Sequence, residues 1–118
     1  MSSNNNKELA STIRNQILRI LRLWASKEEQ LGFMQKVPFA QHTAELFQEW
    51  FDFYHPGNEV FNISFDERER IILKNFNAAL EQANRPLNEN YPSVRQFITT
   101  KEWHEIHEAA KRAISKLG

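Results

Sequence analysis

His104 and His107 are the residues of this chain closest to a metal-site spacing. Three positions apart on a helix, they share a side, but a zinc site needs a third or fourth ligand, and zincin chemistry sets a Glu between histidines four apart. Glu108 could join them, yet the pattern falls one residue short. His107 sits beside an apolar stripe where a packed imidazole is the ordinary outcome, and His104 points to solvent, so a metal or enzymatic site here is the weaker expectation.

Carboxylates recur at Glu45, Glu49 and Asp52 without a matched histidine, which reads as a solvated helix face. Di-iron chemistry in a bundle requires two Glu-x-x-His elements and two further Glu, and Asp52-x-x-His55 stands alone. Three glycines in the whole chain leave no room for most phosphate loops or nucleophile elbows. The absence of Cys removes thiol catalysis and disulfides and fits a reducing compartment, so a cytoplasmic, cofactor-free protein is expected. No catalytic residue is assigned.

Residues 93–112 imitate a helix-turn-helix, but Glu102, Glu105 and Glu108 would line the recognition helix. Nucleic-acid binders draw affinity from phosphate neutralisation by a basic stripe, so the charges argue against that partner.

The elements that position these groups are helical. Leu, Ile, Val and Phe make up 31 of 118 residues, enough for a folded core, while only three of them are Val, a poor composition for a sheet. Residues 1–6 read as a flexible lead into one helical domain over 7–118. The first helix, from Lys7, carries an unusually wide apolar arc through Ile13, Ile17, Ile20, Leu21 and Trp24, which predicts a central helix touched on two sides. Ser26-x-x-Glu29 reads as a capping box opening a second segment through Leu31, Phe33 and Met34. Val37-Pro38 marks a break before a sharply divided helix over 39–54. Residues 59–65 read as an extended connector pinned by its aromatics. Ser64-x-x-Glu67 and Asp66-x-x-Glu69 announce a helix ending near Pro86, Ser93-x-x-Gln96 a short turn, and Thr99-x-x-Glu102 the last helix. The expected fold is all-α, a compact array of four main helices with one or two short ones.

A formal charge of zero averages over a polarised chain: +3 over residues 1–36, −5 over 37–70 and +2 over 71–118. Acidic and basic segments can meet in the fold, and acids offset helix N-termini. The functional alternative is an acidic surface that steers a basic protein partner. Its residues are Glu45, Glu49, Asp52, Asp66 and Glu67, joined by Phe53 and Tyr54, which the helix end leaves partly exposed beside the charge. Glu69 falls inside the apolar arc of its helix and is expected to cap or to bond a buried donor. A rival reading makes the chain a homodimer through Leu18, Leu21 and Ala25. No run of about 18 apolar residues exists to span a bilayer.

The layout Phe47-x-x-Trp50-Phe51-Asp52, Glu69-x-x-Ile72-Leu73-x-x-Phe76 and Glu102-Trp103-x-x-Ile106 resembles small bacterial helical proteins, some of the toxin-immunity type. The resemblance spans roughly residues 44–117. It implies at most a stoichiometric inhibitor of a partner protein and carries no binding residues with it.

Overall fold

The computed structural model describes residues 2–36, 42–87 and 89–117. Seven helices follow one another among them: α1 Ser2–Trp24, α2 Lys27–Lys36, α3 His42–Phe53, α4 Glu59–Ser64, α5 Glu67–Asn84, α6 Val94–Phe97 and α7 Lys101–Leu117. No strand occurs among the described residues, and the fold is all-α. Four helices are long, and α2, α4 and α6 are the shorter pieces between them. No described helix is long and apolar enough to cross a membrane.

The wide apolar arc of α1 has its physical reason in the packing. The helix lies against α2, α3, α4 and α7, so Ile17, Ile20, Leu21 and Trp24 are fully buried although they do not share one narrow face. Leu21 is therefore core, which corrects its place in a dimer surface; Leu18 and Ala25 are half-buried against the same core. The helix also starts at Ser2, ahead of the Lys7 start read from the sequence, so residues expected as a loose lead wind into its first turns.

Local start signals set most of the other boundaries. The Ser26 hydroxyl accepts the Glu29 N–H at 3.2 Å, which bends the chain between α1 and α2. Capping boxes at Asp66–Glu69 and Ser93–Gln96 open α5 and α6 with both reciprocal bonds made. The break at Val37-Pro38 and the expected start of α3 at Phe39 lie outside the described residues, as do the side chains of Phe33 and Met34.

Two further readings differ from the structure. Residues Glu59–Ser64 of the connector form a helix, with only Phe65 extended, because the Asn58 side chain accepts the N–H groups of both Val60 and Phe61 and nucleates it. The last helix is capped by Thr100 rather than Thr99: the Thr100 hydroxyl accepts the Trp103 N–H at 3.1 Å, while that of Thr99 turns back to the Gln96 carbonyl.

Aromatic rings knit the helices. Trp24 meets Phe47 and Phe97 edge-on at 5.3 and 5.9 Å between centroids, joining α1, α3 and α6. Trp50 meets Phe76 at 4.7 Å and donates its indole N–H to Asn77 at 2.9 Å, joining α3 to α5. Such pairs prefer tilted and T-shaped contacts, where a ring edge faces a negative ring face. Between α5 and α7, Ala83, Ala109, Ala110 and Ala113 are buried, and their small side chains let the two backbones approach.

Candidate functional site

The histidine pair is divided by its surroundings. The His107 ring stacks on Trp103 at 4.5 Å, and its Nδ1 lies 3.0 Å from the Trp24 carbonyl oxygen. A carbonyl only accepts, so Nδ1 carries a proton and donates, leaving Nε2 with the lone pair in the neutral ring. His104 is exposed. Trp103 in turn donates its indole N–H to Gln30 Oε1 at 2.5 Å, so this face of α7 ties the last helix to the α1–α2 bend. Two buried donors beside it, Trp24 Nε1 and Gln30 Nε2, have no acceptor among the described residues. No group of three or more His, Asp or Glu that could hold a metal ion occurs among the described residues.

The acidic middle of the chain and the basic first segment meet at two points. Glu69 and Arg14 form a two-pronged pair, Nη2 to Oε2 at 2.8 Å and Nη1 to Oε1 at 3.1 Å. Arg14 Nη1 also donates to the Ser64 carbonyl at 3.1 Å, and the guanidinium lies 5.2 Å from the Phe65 ring centroid. Glu69 Oε1 accepts the Asp66 N–H at 3.0 Å while the Asp66 carboxylate accepts the Glu69 N–H at 2.8 Å. Glu69 thus does both jobs expected of it, capping and pairing. The Arg14 hydrogen bonds hold its carboxyl below the ordinary range, against an opposing effect of burial and with help from the Asp66 N–H. The same bonds push Arg14 above its usual value, again against burial.

Farther along α1, Arg19 reaches Glu49 at 3.5 Å. Both side chains are substantially exposed, and a pair of that kind contributes little.

The proposed contact residues are only partly gathered. On α3, Glu45 and Glu49 are half-buried and Asp52 exposed; Asp52 accepts from Gln48 Nε2 at 2.8 Å. Its carbonyl accepts from His55 Nε2 at 2.7 Å, which folds the chain back after α3. Asp66 is committed to the start of α5. Phe53 and Tyr54 are half-buried and pack on the core. Tyr54 stacks on Trp50 at 5.0 Å and meets Phe61 edge-on at 5.3 Å, and burial followed by the charge of Glu81 raises its phenol above the usual value.

Tyr54 and Glu67 do come together. They line one open depression with Pro56, Asn62, Arg70, Ile71 and Lys74, and a second opening beside it shares Tyr54 and Pro56. Arg70 is occupied structurally, its Nη1 donating to the Asn62 and Phe65 carbonyls at 2.9 and 2.8 Å. Ile71, 56% exposed, is the residue that periodicity passes over. It stands out of phase with Ile72, Leu73 and Phe76, and an apolar residue on the polar side of an amphipathic helix is the signal that would have marked it. A recess between α1 and α7, lined by Leu18, Arg22, Ile114 and Leu117, takes in Leu18 of the surface considered for self-association.

Family models, curated proteins and solved structures alike yield no match to the chain, so its surface is interpreted from its own residues.

Proposed function

We propose that this chain is a small protein-binding domain, an immunity-type inhibitor or regulator that acts by stoichiometric contact with a basic partner. One observation carries the reading: an open surface where Tyr54, Pro56 and Ile71 stand among the charges of Glu67, Arg70 and Lys74, at the end of the helix that bears Glu45, Glu49 and Asp52. Apolar anchors rimmed by charge are the anatomy of contact surfaces, and the carboxylates of α3 steer a cationic partner and reject an anionic one. A cytoplasmic setting and a role without cofactor belong to the same reading.

The test is a pull-down from the source cells with the parent chain and with a Glu45→Lys, Glu49→Lys double variant whose helical content is checked by circular dichroism. Capture of a basic protein at one-to-one ratio by the parent, weakened at least about tenfold in the variant, is the expected result. Equal capture by both would remove the acidic face of α3 from the interface.

A further inference from the structure

The outward side of α5 carries a charge register. Glu67, Ile71, Lys74, Ala78 and Glu81 recur at spacings of three and four, all five are exposed, and residues so spaced form one stripe on a helix. The stripe runs about 21 Å at the rise of an α-helix. Tyr54 stands beside its middle, stacked on the Trp50 that donates to Asn77, and shares the depression lined by Ile71 and Lys74. The pattern along the stripe is acidic, apolar, basic, apolar, acidic.

We propose that this stripe is the docking seat for an amphipathic helix of a partner protein. The complementary helix is roughly 15 residues long, with basic residues near both ends, an acidic residue at its centre and two aliphatic side chains facing Ile71 and Ala78. A second copy of the chain cannot match the whole stripe: slipped so that Glu67 meets Lys74, it leaves Ala78 and Glu81 uncovered. Two such stripes overlaid along their whole length, antiparallel about Lys74, set Glu67 against Glu81 and Lys74 against Lys74. A parallel overlay sets every charge against itself. Like charges in contact are disfavoured, whereas the heterologous helix satisfies all three. The proposal rests on the protein-binding reading and specifies the partner element it takes.

The probe is a synthetic helical peptide of that design, Lys–Leu–Glu–Leu–Lys at the stripe spacing, with a charge-inverted peptide as control. Amide resonances of the labelled protein are followed during titration. The designed peptide is expected to shift signals at Tyr54, Ile71 and Ala78, to bind at least about tenfold more tightly than the inverted one, and to lose that binding in Ile71→Asp. Lys74→Glu is expected to favour a third peptide, Lys–Leu–Lys–Leu–Lys at the same spacing, over the designed one. Leu9→Asp, an exposed aliphatic on α1, controls for general hydrophobicity.

Absence of binding at about 1 mM peptide, equal binding of both peptides, or shifts insensitive to Ile71→Asp would overturn the proposal. So would concentration-dependent dimerisation that Ile71→Asp abolishes, which would make the occupant a second copy. If the stripe fails while capture through Glu45 and Glu49 persists, only the α5 seat is wrong; if both fail, the protein-binding reading falls with it.

Discussion

Replacing Glu69 by Ala is the most informative single change to the fold. The carboxylate is 10% exposed and faces a guanidinium that is 35% exposed. Hydrogen bonds to charged groups are worth about 1.5–3 kcal/mol when well shielded, and exposed pairs less than about 1 kcal/mol. With Arg14 a third open to solvent, a coupling of about 1–2 kcal/mol is appropriate. Loss of the reciprocal bond to the Asp66 N–H adds a capping contribution of about 1 kcal/mol. Glu69→Ala should therefore cost about 2–3 kcal/mol, a fall in Tm of roughly 8–12 °C for a domain of this size. A double-mutant cycle of Arg14→Met with Glu69→Gln isolates the pair, because Gln keeps an acceptor for the Asp66 N–H.

The pH dependence follows from the same geometry. The folded carboxyl titrates below its ordinary value near pH 4.5, so between those values the unfolded chain binds the extra proton. The stabilisation is complete above about pH 4.5 and is lost as pH falls through the folded value. Urea titrations of parent and Glu69→Gln at a series of pH values should converge on the acid side. A cost under about 0.5 kcal/mol for Glu69→Ala, or a coupling near zero, would refute the reasoning.

Two further substitutions and one titration test other parts of the structure. Leu73, with no exposed surface, should cost about 2–5 kcal/mol as Leu73→Ala in chemical denaturation. Asn58→Ala, which removes the acceptor for two N–H groups opening α4, should cost about 0.5–2 kcal/mol, and a neutral result would mean that packing alone holds that helix. Both tyrosines titrate above the ordinary phenol value, Tyr54 by burial and then Glu81, Tyr91 by burial against a bond to Asn84. Absorbance at alkaline pH should place the midpoint of the tyrosine transition above pH 10. Their contribution to stability is full below that value and lost as pH rises through the raised folded values.

The helices were legible because their signals are local. Asp66, Ser93 and Ser26 each bond a backbone N–H three residues on, so the chain announces these starts within a single turn. The short α4 escaped because six residues give no period to read, and a run of aromatics looks the same in an extended strand and in a turn of helix. Thr99 and Thr100 are chemically equivalent caps, and only the packing of Trp103 decides between them.

The site was legible in pieces. Tyr54 and Glu67 were visible as an aromatic and a carboxylate, but their meeting depends on how α3 returns against α5. The packing of His107 on its own helix stripe was visible, but the distant partners of Gln30 and His107 were not, since those bonds cross 73 and 83 residues of sequence and no local pattern encodes them. The segmental charges, by contrast, find one another as the sequence allowed: Arg14 with Glu69 and Arg19 with Glu49.

The placement of α1 at the centre has a consequence for the order in which the molecule is made. Its partner face on α7 is synthesised late: the His107 ring that closes on the Trp24 carbonyl follows it by 83 residues. At a translation rate of about 5–20 residues per second, that interval is roughly 4–16 s. Through it, Ile17, Ile20 and Trp24 have only the earlier helices to cover them. The nascent chain therefore spends seconds with its central helix incompletely wrapped, a window in which a chaperone or a neighbouring chain competes with the last helix for the same surface.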